Sequence, residues 1–207
     1  YQADVKAAEA KFQPMYAGFM QQDIAVVAAD PQARAIGKNL FLTYCSQCHG
    51  SDAAGANGFP NLTDHDWLYG GDPDTLKATI TNGRTGMMPA LGAALGAEKT
   101  RAVANYVLSL SGRKHDATFA ATGKTVFAEN CAACHTPAGT GMQAMGAPNL
   151  TDKVWLYGGS EAAIIETISK GRNGTMPPMT QTLGTTSNQD AKLHLLAAYV
   201  YSLSRDK

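Results

Sequence analysis

The sequence predicts an all-α protein made of two tandem, related helical units, and three observations carry that expectation. Apolar residues recur at helical spacing through most of the 207 residues, with no alternating strand pattern in competition. A stretch of the chain repeats: Pro60-Asn-Leu-Thr-Asp-His-Asp-Trp-Leu-Tyr-Gly-Gly71 returns as Pro148-Asn-Leu-Thr-Asp-Lys-Val-Trp-Leu-Tyr-Gly-Gly159, with two positions changed. Each copy also opens on the same pentapeptide pattern, Cys45-Ser-Gln-Cys48-His49 and Cys131-Ala-Ala-Cys134-His135.

The elements follow in order. Residues 1–30 are alanine-rich and weakly amphipathic and predict an N-terminal helix or arm. From Ala33 to Cys48, Ile36, Leu40, Phe41 and Tyr44 fall on helical spacing, and the helix delivers the first cysteines at its end. Asp72-Pro73 is a helix cap followed by proline in the first turn; that helix runs through Leu76 and Ile80 to Asn82-Gly83. A further helix near Glu98 to Leu110 sets Val103, Tyr106, Val107 and Leu110 on one face. The second copy repeats the plan with helices over 123–134, 160–170 and 190–203. Gly83-Arg84 recurs as Gly171-Arg172 and Met88-Pro89 as Met176-Pro177, 88 residues later, whereas the cysteine runs lie 86 apart and Tyr106-Val107 recurs 93 later. The second copy therefore carries insertions before its proline and before its last helix, as loops do. The domains predicted are 31–111 and 117–207, joined by a polar linker at 112–116.

Cys-x-x-Cys-His is the attachment site of a c-type haem. Each cysteine can add to a haem vinyl group, and the adjacent histidine is then held under the iron. Two runs use all four cysteines and imply two covalent haem c groups. A four-cysteine zinc cage, a thioredoxin-like motif and a pair of disulfides are the competing readings. None of them explains why histidine directly follows both pairs. Each unit is too small for a large core of its own, so a buried haem supplies much of it.

His49 and His135 are the expected proximal ligands. Methionine is the usual second ligand in c-type carriers and raises the reduction potential. Met88 and Met176, in matched Met-Pro pairs, are the candidates. Met87 aligns with Thr175, and Met179 with Leu91, so these two are expected to pack; Met142 and Met145 lie in an insertion. Whether each methionine serves its own copy's haem or the other's is left open. The carbonyls of Pro60 and Pro148 are the expected acceptors for the ligand imidazoles, against the plainer reading of turn prolines. Arg84 and Arg172 are candidates to bind haem propionates, against solvated cations at helix ends. Trp67 and Trp155 are candidates to donate an indole N–H to a propionate, or are core. His65, His115 and His194 have no repeat counterparts and are read as surface or packing residues.

Composition narrows the rest. With 44% hydrophobic and 16% charged residues the chain is globular. Lys plus Arg and Asp plus Glu balance at 17 each, with no basic run, which argues against a nucleic-acid partner. No run of 18 apolar residues is present. Covalent haem attachment takes place outside the bacterial inner membrane, so export is expected, with the targeting segment or anchor outside these residues.

Cys-x-x-Cys-His, a later Met-Pro and a closing aromatic-bearing helix make each half resemble a class I cytochrome c domain. Gly37 with Phe41, and Gly123 with Phe127, resemble that family's first-helix glycine–aromatic pair. Pro-Asn-Leu-Thr-Asp, Trp-Leu-Tyr-Gly-Gly and Gly-Arg before Met-Pro, present in both halves, make the stretch from Pro31 to Leu203 resemble the dihaem subunit III of cbb(3)-type cytochrome c oxidase. The resemblance implies tandem cytochrome c domains, each a small helical bundle around one covalent haem c. It also implies an N-terminal membrane anchor, a place on the periplasmic face of the inner membrane, and electron transfer from a cytochrome donor towards the partner subunits and the haem–copper site that reduces oxygen. Catalytic residues of its own are not expected. His135-Thr-Pro-Ala-Gly-Thr-Gly replaces that family's glycine-acidic loop. The alternatives are a free cytochrome c4-like carrier, a dihaem peroxidase, which needs an open coordination site, and a gas or redox sensor, for which no signalling domain is present.

Overall fold

The computed structural model describes residues 2–183 and 188–205. In chain order its elements are α1 (Gln2–Met20), α2 (Ile24–Val27), α3 (Pro31–Tyr44), α4 (Ser46–His49), α5 (Pro73–Asn82), β1 (Arg84–Met88), α6 (Gly92–Leu110), α7 (Ala117–Asn130), α8 (Ala132–His135), α9 (Glu161–Lys170), β2 (Arg172–Met176), α10 (Met179–Thr182) and α11 (Gln189–Leu203). The all-α expectation holds, with one difference: β1 pairs with β2 in a two-stranded sheet. Five residues are too few to register as alternation, and this pair joins segments 88 positions apart, so no local signal marks it.

The helix ends are chemically explicit. Asp30 accepts from the amides of Gln32 and Ala33 and starts α3 at Pro31; Asp72 accepts from Thr75 and starts α5 at Pro73. Asp116 and Ser160 cap α7 and α9 in the same way. Gly83 and Gly171 end α5 and α9 with φ of +69° and +71°. The helix expected from Glu98 begins earlier, at Gly92, but Gly96 at φ +74° and ψ 168° breaks it, so the regular segment is the one the periodicity marked. The haem-motif helices likewise divide: α3 stops at Tyr44 and α7 at Asn130, and the cysteines and histidine lie on separate single turns.

The compact units do not follow the repeats. One gathers the chain up to His65, Gly70–Arg84 and everything from Met176 onward; the other gathers Asp66–Tyr69 and Thr85–Thr175. The sequential boundaries at 31–111 and 117–207 thus describe the repeat, while the folded units exchange their closing segments. The physical reason is in the helix contacts. In the first unit α11 packs on α3 and α5, and a Cβ at Gly37 would lie 2.6 Å from both the Leu195 carbonyl oxygen and the Tyr199 Cβ. In the second, α6 packs on α7 and α9, and a Cβ at Gly123 would collide with the Ala102 carbonyl. Ring pairs complete each crossing: Phe41 with Tyr199 at 5.6 Å and Phe127 with Tyr106 at 5.2 Å between centroids. The connection from Ser111 to Asp116 is short, and short connections make sequential helices neighbours, here α6 and α7. Asn105, 1% exposed, locks that corner: its carbonyl oxygen accepts from the Asp116 amide at 2.8 Å and its amide donates to Glu161 at 2.9 Å.

The second core consists of Val103, Ala104, Val107, Leu108, Val126, Phe127, Ile164 and Ile168. In the first, Phe41, Leu76, Ile80, Leu195, Leu196 and Val27 are buried. His194, read from the sequence as surface or packing, is buried at 6% exposure on α11.

Candidate haem-binding sites

Each haem motif is one helical turn. The Cys48 and His49 amides both donate to the Cys45 carbonyl, at 3.2 and 3.0 Å; Cys134 and His135 do the same to Cys131, at 3.2 and 2.9 Å. A turn so closed sets the two cysteines three apart on one side, with the histidine next to the second. Before haem attachment, burial, with a smaller contribution from the neighbouring cysteine, pushes the Cys45 and Cys131 thiols up to about 11. Among the described residues no group of three or more His, Cys, Asp or Glu converges as a metal cage would require.

The proline carbonyls fall where the sequence expected them. His49 Nδ1 lies 3.0 Å from the Pro60 carbonyl oxygen and His135 Nδ1 lies 3.1 Å from that of Pro148. The assigned tautomer has Nδ1–H donating, which leaves Nε2 as the lone-pair nitrogen an iron would take. Burial lowers the pKa of His135, opposed by its bond to Pro148, and so favours the neutral imidazole. Two glycines the sequence reading passed over make this presentation possible. Gly55, at φ +74°, packs so closely that a Cβ would lie 2.7 Å from the Pro60 carbonyl; Gly141, at φ +76°, would put one 2.6 Å from the Pro148 carbonyl carbon. Their spacing of 86 was the available signal: it places the inserted residues between Gly141 and Pro148, where a short 3-10 turn, Gln143–Met145, forms. After His49 the chain turns through Gly50 at φ +79°; after His135 it is Thr136 that adopts φ +64°, held by its hydroxyl against Thr140 at 2.9 Å.

The methionines sort by unit. Met88 is half-buried and packs on the second core with Cys131, Leu150 and Trp155, whereas Met87, expected to pack, is instead 76% exposed, because the alternation along β1 turns it to the other face. The chain after Met88 is tied to α9 by the Leu91 amide donating to the Ile168 carbonyl at 2.9 Å. In the first unit, half-buried Met176 has its carbonyl against the Cα of Gly83, and Thr180 donates to the Thr81 carbonyl at 3.1 Å. Met179 is buried at 5% exposure, as expected of a packing residue. Each unit therefore contains one Cys-x-x-Cys-His turn and the Met-Pro segment of the other repeat.

The remaining candidates are placed as follows. Arg84 and Arg172 are tethered alike, Nε donating to Thr79 and Thr167 hydroxyls at 2.9 Å in both repeats, and Arg172 also lies 4.5 Å over the Tyr157 ring. Trp67 is half-buried and its carbonyl accepts from Gln143 at 3.2 Å. Trp155 packs on the second core, yet its Nε1 is buried without a hydrogen-bond partner. A buried donor-only atom without a partner leaves room for an acceptor from a bound group.

Residues 32–107 match the family described as Cytochrome C oxidase, cbb3-type, subunit III, and residues 120–204 match Cytochrome c. The chain is 48% identical over 206 residues to the cbb3-type cytochrome c oxidase subunit CcoP of Rubrivivax gelatinosus, covering 99% of this chain and 66% of that protein. It is 46% identical to the subunit FixP of Bradyrhizobium diazoefficiens, covering 91% and 66%, and 38% identical to CcoP of Rhodobacter capsulatus, covering 97% and 75%. The chain thus spans about two thirds of the length of the first two relatives. Both halves carry a covalently bound haem c as cytochrome c domains do, and the chain belongs to the family of subunit III (CcoP/FixP) of cbb3-type cytochrome c oxidase.

Proposed function

We propose that this chain is the dihaem electron-carrying part of a cbb3-type oxidase. It takes electrons from a cytochrome donor and passes them towards the subunit that reduces oxygen, on the periplasmic face of the inner membrane and held there by an anchor. Among the described residues no helix is long and apolar enough to cross a membrane, so the anchor would be another segment. The observation that carries the reading is the pairing, within each compact unit, of one Cys-x-x-Cys-His turn with one Met-Pro segment. His49 with Met176, and His135 with Met88, would then close both faces of their irons and leave no position for substrate.

When bound, haem iron supplies reversible one-electron chemistry. The chain's own residues do the rest. Cys45, Cys48, Cys131 and Cys134 hold the group through thioethers. His49 and His135, their Nδ1 protons on Pro60 and Pro148, are fixed in the tautomer that offers Nε2. The thioether sulfurs of Met88 and Met176 favour the reduced state. Trp155 and the apolar side chains around Met88 exclude water on the second core. Arg84 and Arg172, tethered through Nε to helix-end threonines, are held as candidate propionate cations.

The exchanged ligand pairing has a direct test. In a variant that lacks the first attachment site, Cys45→Ala with Cys48→Ala, Met88→Leu should abolish the remaining sulfur-to-iron charge-transfer band, and Met176→Leu should spare it. The opposite result would return each methionine to the haem of its own repeat. The role is tested by adding an anchored version to an oxidase complex that lacks this subunit: electron flow from a reduced cytochrome to oxygen should recover.

A further inference from the structure

Arg113 lies in the short connection that the sequence reading took for a plain polar linker. The structure gives it a more specific place. Its guanidinium stacks 5.5 Å from the Trp155 ring centroid, and one terminal nitrogen donates to the Lys153 carbonyl at 3.4 Å. Gly159 makes room for the stack: a Cβ there would lie 2.8 Å from the Arg113 Cζ and 2.8 Å from the Trp155 ring. Each member of the stacked pair has a buried donor without a partner, Arg113 Nε and Trp155 Nε1. Both atoms can only donate. Buried donors in folded proteins are paired almost without exception, so two unpaired donors on stacked side chains mark the place of an acceptor. Because one donor belongs to a guanidinium, an anionic acceptor is favoured over a neutral one, and the planar fork suits a carboxylate. Trp155 packs on the same core as Cys131 and Met88, and Asp116 and Asp152 nearby already accept from backbone amides, so the carboxylate that suits the pair is one carried by the second haem.

We infer that Arg113, with the Trp155 indole, binds a propionate of the second haem and keeps it ionised; this rests on the haem reading above. It makes the connection between α6 and α7 a part of the second site. Arg113 acts on the iron through the propionate, as a positioning and charge-setting residue. An opposite charge at this range lowers a carboxyl pKa by about 1–3 units. With Arg113 present, the propionate stays charged through the neutral range and the potential of that haem is flat with pH. Without it, burial raises the propionate's affinity for a proton by roughly tenfold or more. Reduction then couples to proton uptake, and the potential falls as pH rises.

The ionisable groups on the two segments that meet here are Lys114, His115 and Asp116 on one and Asp152 and Lys153 on the other. Asp116 and Asp152 are engaged by backbone amides, and the His115 Nδ1 lies 2.7 Å from the Arg113 carbonyl oxygen. His115→Gln is the control and should leave the potentials unchanged.

The experiment is a two-component redox titration of the holoprotein between pH 5 and 8, with haem content checked by mass spectrometry of the denatured chain. In Arg113→Gln one component should become pH-dependent and lower in potential while the other, an internal reference, stays put. Arg113→Lys should keep the charge and restore most of the flat profile. Should Arg113→Gln lose its second haem, Trp155→Phe removes the indole donor alone and should move the same component. Two haems present with both components unmoved in Arg113→Gln, or in Trp155→Phe where that is the variant read, overturns the inference. A wild-type mass showing fewer than two haems overturns the haem reading itself and is recognisable as such.

Discussion

The exchanged pairing of first and last helices makes a quantitative prediction that separates it from the sequential one. Phe41 is fully buried and Tyr199 is 9% exposed; their rings sit 5.6 Å apart at 54°, a tilted geometry in which aromatic pairs attract. Replacing either with Leu keeps an apolar side chain and should cost about 1–2 kcal/mol through lost contacts and imperfect filling. Replacing both should cost less than the sum, because the pair energy of about 0.5–1.5 kcal/mol is lost only once. Phe127 and Tyr106, at 5.2 Å and 57°, should show the same coupling. The crossed cycles, Phe41 with Tyr106 and Phe127 with Tyr199, should be additive within about 0.5 kcal/mol, as for residues without shared partners. The assay is equilibrium guanidinium unfolding of the holoprotein followed by circular dichroism. Where two transitions resolve, Phe41→Leu and Tyr199→Leu should move the same one. Coupling between Phe41 and Tyr106, with none between Phe41 and Tyr199, would refute the exchange.

Two further outcomes follow from named groups. Asp72 caps α5 through the Thr75 amide at 2.9 Å, and hydrogen bonds from the Thr75 side chain and then its amide hold its carboxyl below the usual range. Asp72→Ala should cost about 1 kcal/mol at neutral pH. Because the folded pKa is the lower one, the wild-type advantage exists above the ordinary carboxylate pKa and fades as pH falls through the folded value; stability curves of the two proteins that stay parallel into acid would defeat the assignment. If His and Met hold both irons, as proposed, the reduced protein should bind carbon monoxide poorly and show negligible peroxidase activity. Fast peroxide turnover by undamaged protein would move it into the peroxidase class.

What was legible in the sequence was local or repeated. Cys-x-x-Cys-His is a one-turn motif whose chemistry needs no distant partner, so Cys45, Cys48 and His49 could be named before any fold was known. The caps at Asp72, Gly83 and Gly171 are likewise written within four residues. Comparing the copies did more: it separated Met88 from Met87, although Met87, expected to pack, is 76% exposed beside half-buried Met88. It also marked Pro60 and Pro148, whose carbonyls the imidazoles reach at 3.0 and 3.1 Å.

Tertiary structure decided which copy closes on which. Both closing helices carry a tyrosine in the matched position, Tyr106 and Tyr199, and both opening helices carry Gly and Phe four apart, so sequence pattern fits either pairing equally. The choice is made by geometry: a connection only a few residues long sets α6 against α7, and the chain beyond Met176 completes the other unit. The same cause hid Arg113. In the sequence it is one cation in a polar linker; only folding sets it on Trp155, through the gap left by Gly159, where Arg113 Nε and Trp155 Nε1 are both buried without a hydrogen-bond partner. Local chemistry is set by residues a turn apart and can be read along the chain, whereas the partner of a helix face depends on the whole chain's path.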